Sequence, residues 1–297
     1  MTDTDSSAVA APSSEAPAKG GEVSTWRRFL GNRLAAAGLA IVSAVVLLAV
    51  LAPILPIPSP AATDLSARLQ SIGTPGHPLG TDKLGRDILA RLIWGGRVSL
   101  LIGLLATAVA ALVGSTVGLI SGFFRGPIDN ALMRSIDVLM AFPYLLLAIA
   151  LVAFLGPGLL KAMIAVAVVN IPFFARAVRG ATLGVMSNEY VEAAALAGRN
   201  RLLILFAEVL PNVFSTILIT TSTTVGWMIT ETAGLSFLGL GAQPPTSDWG
   251  TMLGDGRELL TFAPHVSLIP GLAIFLVVIS LNFMGDGLRD ALDPRLS

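Results

Sequence analysis

The chain is 297 residues long, 54% hydrophobic and 13% charged, with a formal net charge of zero and no cysteine. A soluble domain of this size carries about 25% charged residues, so the deficit points to a membrane protein. The neutral balance offers no basic face for nucleic acid, and the lack of cysteine excludes disulfides, thiolate metal sites and a thiol nucleophile.

In chain order, residues 1–25 combine Ala, Ser, Pro and acidic residues with no apolar block. That composition predicts a disordered, solvated tail and not a signal peptide. Residues 26–297 read as one membrane domain. A span needs about 20 apolar helical residues, and six segments qualify: Leu34–Leu55, Val98–Gly122, about Ile136–Leu155, Leu159–Val178, Pro211–Leu235 and Val266–Met284. The third and fourth are joined by Gly156-Pro157-Gly158 and predict a tight hairpin. Pro143 and Pro172 fall inside spans and predict kinks. The expected class is therefore all-α, with six transmembrane helices. Non-membrane pieces cover residues 56–97, 180–212 and 239–265.

Orientation follows from the basic residues. With the N-terminus inside, twelve of the 19 Lys and Arg residues fall on inner segments, among them Arg27, Arg28, Arg125, Arg179 and Arg199. Five of the seven outer ones belong to residues 56–97. Both termini, and the loop between helices four and five, are expected in the cytoplasm, while residues 56–97 and 239–265 face outward.

That cytoplasmic loop, "EYVEAAALAGRNRLLILFAEVLPN" (Glu189–Asn212), has its own pattern. Ser187 or Asn188 can cap a helix whose first turn carries Glu189, where the macrodipole favours negative charge. Gly198 is placed to stop it in a left-handed conformation. A second short helix, "RLLILFAEVL", precedes Pro211, which suits the first turn of helix five. Small side chains at Ala193, Ala194 and Ala195, with Glu192 beside them, would let another surface approach closely. Read from residues alone, two uses stay open: a lever for a soluble partner, or an interfacial helix on lipid headgroups with Arg199 and Arg201 toward the phosphates.

Glu231, in "GWMITETAGLSF", is the most suggestive ionisable residue within a span. Its position toward the outer interface favours a structural ion pair with Arg86 or Arg91 over contact with cargo in the translocation path. Asp82 and Asp87, beside His77 and among Gly and Pro residues, suggest turn capping in preference to a metal site. Asn170 and Arg176 are candidates to face a pore. Trp94, Trp227 and Trp249 suit an interfacial aromatic belt. No metal cluster and no catalytic constellation is expected.

The "EAAALAG" stretch, followed twelve residues on by "LP", resembles the EAA signature of bacterial ABC importer permeases. The matching positions are Glu192, Ala193, Ala194, Gly198, Leu210 and Pro211. Glu208 departs from the signature, which has an apolar residue two places before Leu-Pro. "HPLGTDKLGRDILARLIWGGRVSLLIG" and "LSFLGLGAQPPTSDWGTML" resemble stretches of the dipeptide, oligopeptide and nickel subgroup, C-type subunit, as does "WRRFLGNRLAAAGLAI" for its first span. The resemblance implies a non-catalytic permease subunit in a bacterial inner membrane. Glu189, Glu192, Ala193, Ala194, Gly198, Leu210 and Pro211 would couple it to two cytoplasmic ATPase subunits, which would bind ATP and Mg. A second homologous permease, forming a heterodimer, and an extracytoplasmic substrate-binding protein would complete the assembly. The chain has no G-x-x-x-x-G-K-[ST] loop of its own. Dipeptides or oligopeptides are the expected cargo; nickel chelates, glutathione-like peptides and sugars are rivals within the class. An ATP-independent carrier or a membrane scaffold is the rival from another class, and near-absent mid-span charge counts against the carrier.

Overall fold

The computed structural model describes residues 25–292, and every regular element among them is helical. The proposed tail, residues 1–25, lies outside the described residues but for its last. Helix α1 (Thr25–Gly31) and helix α2 (Arg33–Leu51) are separated by Asn32, whose side chain accepts from the Leu34 and Ala35 N–H groups and so caps α2. Helix α3 (Ile88–Phe124) follows a long loop. Then come α4 (Gly126–Met140), α5 (Tyr144–Leu155), α6 (Leu159–Val185), α7 (Glu189–Leu196), α8 (Arg201–Ile204), α9 (Leu210–Phe237), α10 (Trp249–Gly256) and α11 (His265–Leu292).

Among the described residues five continuous helices are long and apolar enough to cross a membrane, and the count reaches six if α4 and α5 together make one span. This corrects the third predicted span. Residues 136–155 do not form one helix: α4 ends at Met140, α5 begins at Tyr144, and the two are bent by 88°. Hydropathy runs unbroken through this region, but Pro143 biases Phe142 away from helical dihedrals. Helix α5 alone, with 12 residues, spans roughly 18 Å, short of the ~30 Å hydrocarbon core. Pro172, by contrast, sits inside an uninterrupted α6. Helix α3 also starts ten residues earlier than expected, because Asp87 caps it.

Helix α3 is the spine of the bundle and packs most extensively along α6. Ala106, Ala110, Gly114, Gly118 and Gly122 recur every four residues on its buried face. A Cβ added at Gly114 would lie 2.6 Å from the Ile171 carbonyl oxygen, and one at Gly118 would lie 2.4 Å from that of Ala175. The two backbones therefore touch. Without a hydrophobic drive between helices in lipid, such small-residue contacts are what hold spans together. Helix α11 packs against α2 and α9. There Gly38 approaches the Ser280 carbonyl, where a Cβ would lie at 2.5 Å.

Candidate functional site: a lever, a cap and a carboxylate cavity

At one end of the bundle, α7 begins after Asn188 with Glu189 and Glu192 in its first turn, and Gly198 closes it at φ +76°. The helix is bolted down by its inner face. Val191 is buried in an apolar cluster that also holds Phe123 of α3, Val178 of α6, Ile204 of α8 and Val213 of α9, and Ala194 packs against that cluster. Glu192, Ala193 and Ala195 point outward, and Leu196 is 83% exposed. The sequence grouped Ala194 with the exposed residues; it is half-buried, because a helix turned to bury Val191 also turns the residue three positions on inward.

The second half of the segment departs from the expected separate helix. Residues from Arg201 to Phe237 run as one helix, with a single wide turn at Leu205–Val209 in which the Leu210 N–H reaches the Leu205 carbonyl. Pro211 has no N–H to give and its ring crowds the carbonyl four residues back; a wide π-type turn just before it relieves that crowding. Asn212 Nδ2 donates to the Glu208 carbonyl at 2.6 Å. Glu208, the departure from the signature, forms an ion pair with Arg199 across the turn. It thus ties the two halves of the segment together where an apolar residue would pack.

The opposite end is a cap built from the 56–87 loop and α10. Asp82 is its centre. Its carboxylate accepts from the Leu84 and Arg86 N–H groups, from Arg86 Nε at 2.7 Å, and from the Arg91 guanidinium. Asp255, on α10, takes Lys83 at 3.0 Å, Arg86 at 3.2 Å and Arg91 at 3.4 Å. Asp82 is 1% exposed and the Arg91 side chain 3%. Asp87 caps α3 through the Ala90 N–H and receives His77 at 2.8 Å. Both aspartates of the His77 cluster therefore serve turns and helix starts, and Asp248 caps α10 in a reciprocal box with Thr251. Trp249 is not at an interface: it is 2% exposed, donates to the Leu92 carbonyl at 2.8 Å and rests on Gly96.

Asp255 carries a pH consequence. Burial raises its carboxyl, but Lys83, through hydrogen bond and charge, together with Arg91 and Arg86, outweighs burial and holds it below its ordinary 3.8. A group with a depressed folded-state value adds stability above its unfolded value and loses it as pH falls through the folded one. Acid unfolding in detergent should accordingly show no contribution from Asp255 to pH dependence at neutral pH and a loss below about pH 4. Asp255→Asn should flatten that acid limb.

Arg86 and Arg91 are committed to the cap, so the expected pair with Glu231 does not form. Glu231 lies instead beside a cavity of about 400 Å³ lined by Tyr144, Asn170, Phe173, Thr223, Thr224, Trp227 and Glu231 itself. Its Oε2 accepts from Asn170 Nδ2 at 2.7 Å. Arg176 lines an adjoining cavity of about 610 Å³ that shares Tyr144 and Phe173, and it pairs with Asp137 at 2.7 Å. Sequence reasoning named Asn170, Arg176 and Trp227 but missed Tyr144, Asp255 and the clamp in which Asp129 holds Arg179 at 2.6 Å.

Residues 114–297 match the family model described as "Binding-protein-dependent transport system inner membrane component", and residues 23–71 match "N-terminal TM domain of oligopeptide transport permease C". The chain is 44% identical to the dipeptide transport system permease protein DppC of Alkalihalophilus pseudofirmus, over 92% of this chain and 91% of that one. It is 45% identical to the glutathione transport system permease protein GsiD of Pectobacterium atrosepticum, over 91% and 90%. It is 42% identical to the di/tripeptide transport system permease protein DppC of Pseudomonas aeruginosa, over 91% of each. Among solved structures, a chain of the inward-facing MetNI methionine ABC transporter superposes with a TM-score of 0.57 at 19% identity, covering 69% of this chain and 98% of its own.

Proposed function

The chain belongs to the family of binding-protein-dependent transport system inner membrane components, and from that premise we propose that it carries di- or oligopeptides inward under the drive of a separate ATPase seated on Glu189–Pro211. It is a multi-pass permease subunit of an ABC importer. The observation that carries the coupling reading is mechanical. Val191 and Ala194 on one face of α7 join an apolar cluster with residues of α3, α6 and α9 while Glu192, Ala193 and Leu196 stand free on the other, and beyond the Gly198 turn the chain runs from Arg201 into α9 as one helix. A push on α7 therefore moves α9 and the residues lining the cavity. An interfacial helix on lipid would need no such burial of Val191 among residues of the bundle.

In this reading the lever end faces the cytoplasm, in keeping with the distribution of basic residues. The Asp82–Asp255 cap faces outward, where a substrate-binding protein docks. Two ATPase subunits hold ATP and Mg, and the chain itself is not an enzyme. A second, homologous permease faces the side of α5, α6 and α9 on which Tyr144, Phe173 and Trp227 are each about half exposed, so that these residues border the path between the two chains. The peptide cargo is supported by relatives at 42 and 44% identity whose names specify dipeptides or di/tripeptides. Glutathione, itself a tripeptide, is the second reading, supported by the 45% identical permease.

Gentle solubilisation of the tagged chain, followed by reconstitution of whatever accompanies it, tests this. A P-loop ATPase and a second permease should co-purify, and vesicles given the binding protein should take up radiolabelled Ala-Ala only with ATP. Uptake by the chain alone without ATP would contradict the reading in favour of a carrier.

A further inference from the structure

The Glu231 carboxylate has one oxygen in use and one idle. Oε2 is held by Asn170, whose amide nitrogen also donates to the Val166 carbonyl at 2.9 Å and is thereby fixed. Oε1 has no hydrogen-bond partner within 3.5 Å among the described residues, and the Trp227 side chain, one turn earlier on the same helix, is the one further donor close to the carboxylate. A carboxylate oxygen left bare at this depth is costly, and such groups in native proteins usually have a reason to be unsatisfied. The cations that the sequence offered for it are bound elsewhere, Arg86 and Arg91 to Asp82 and Asp255.

What surrounds the idle oxygen has a definite chemistry. The Tyr144 and Trp227 rings, with centroids 6.1 Å apart and planes tilted by 48°, line the same cavity as Glu231. Aromatic faces attract cations, more strongly where water is excluded. The hydroxyls of Thr223 and Thr224 donate back to the Ile219 and Thr220 carbonyls of their own helix, so their lone pairs remain to accept from an incoming N–H. A carboxylate, two aromatic faces and hydroxyl acceptors favour an ammonium group and repel a carboxylate. The volume of about 400 Å³, with the adjoining cavity beyond Tyr144 and Phe173, lies within the size range of small-molecule sites.

We propose that this cavity is a cargo-binding site within the permease, in which Glu231 receives the α-ammonium group of a peptide while Tyr144 and Trp227 cover it. The inference rests on the peptide-importer reading and adds the residues that meet the cargo. Because Glu231 and Trp227 ride on α9, the helix continuous with the lever, a movement that opens the lever end also alters the site.

The test uses the assembled importer in detergent, without nucleotide or binding protein, and saturation-transfer NMR with two probes: Ala-Ala, and propionyl-alanine, which has nearly the same shape but no ammonium. The native complex should give a signal for Ala-Ala about tenfold or more above that for propionyl-alanine, as expected for one charge-assisted contact. Glu231→Gln should bring Ala-Ala down to the propionyl-alanine level, Glu231→Asp should keep part of the difference, and Trp227→Leu should weaken it several-fold. Equal signals from the two probes in the native complex, or an Ala-Ala signal untouched by Glu231→Gln, overturn the site. If Glu231→Gln instead loses the second permease on purification, Trp227→Leu decides, and an unchanged signal there overturns the site in favour of a pair across the interface. ATP-driven uptake of Ala-Ala by the native complex, measured in parallel, separates the two claims. Uptake without an ammonium-dependent signal sinks the site alone; no uptake of Ala-Ala or of any other di- or tripeptide tried sinks the peptide reading and the site with it.

Discussion

Ala193→Arg is expected to abolish ATP-driven transport, by about a hundredfold or more, in a permease that still inserts and folds. Ala193 is exposed and stands on the free face of α7, so the substitution has nothing of its own chain to disturb, and surface changes of that kind cost within about 0.5 kcal/mol. At the centre of a docking surface the same change puts a long charged side chain where close approach is needed, and central positions of an interface carry losses of about 2–4 kcal/mol or more. The two readouts are the amount of ATPase that co-purifies and the ATP-dependent uptake rate. Both should fall together, whereas Ala193→Ser should leave them near native. Ala194→Arg is a different experiment, because Ala194 packs inward with Val191. It should damage the seating of the segment itself and lower the yield of folded permease. Native-level transport by Ala193→Arg would mean that α7 does not meet the ATPase.

Asp82→Ala should be the most damaging single change to stability. Among the described residues Asp82 alone receives both Arg86 and Arg91 while itself almost wholly buried. Its removal leaves two guanidinium groups facing each other, with Asp255 as their remaining carboxylate and Ser247 accepting from Arg91 at 3.2 Å. Breaking a buried pair by deleting one partner costs about 3–5 kcal/mol, since the stranded charge keeps its desolvation penalty. Thermal unfolding in detergent should show a markedly lower midpoint, or no folded protein. Asp255→Ala, at a more exposed carboxylate, should cost less. If Asp82→Ala unfolds with the native midpoint, the cap does not organise the 56–87 loop and α10 as described. The pair of substitutions also divides the molecule functionally: Ala193→Arg disconnects the drive and spares the fold, while Asp82→Ala attacks the fold at the far end.

Much of this arrangement was legible from residues because it is local. Gly198 stops α7 where a left-handed residue was expected, and Asp82 and Asp87 serve turns and a helix start as their Gly-rich setting implied. Apolar runs marked the continuous spans. The misreadings arose where a tertiary or geometric effect overrode a uniform pattern. Hydropathy cannot register the 88° bend at residues 141–143, because both sides of it are equally apolar. The wide turn before Pro211 is a local solution to proline crowding that keeps the helix going where a break was expected. Trp249 looked interfacial by type, yet Gly95 and Gly96 on α3 leave room for it inside. For Glu231 the sequence supplied a partner that the structure does not give it. Two arginines stood at a compatible depth, but Asp82 and Asp255 had already claimed them, and only the fold brings Asn170, Tyr144 and Trp227 around the carboxylate.

The absence of cysteine makes the central claim directly testable. Ala193→Cys places a single thiol on this chain, at the free face of α7, and the small side chain should leave coupling intact. A short thiol-reactive photo-cross-linker attached there, in membranes containing the complete assembly, is predicted to capture the ATPase subunit in high yield, with the yield changing when ATP is added. Capture of lipid alone, with no ATPase adduct in any nucleotide state, would contradict the account and leave α7 as a helix lying on the membrane surface.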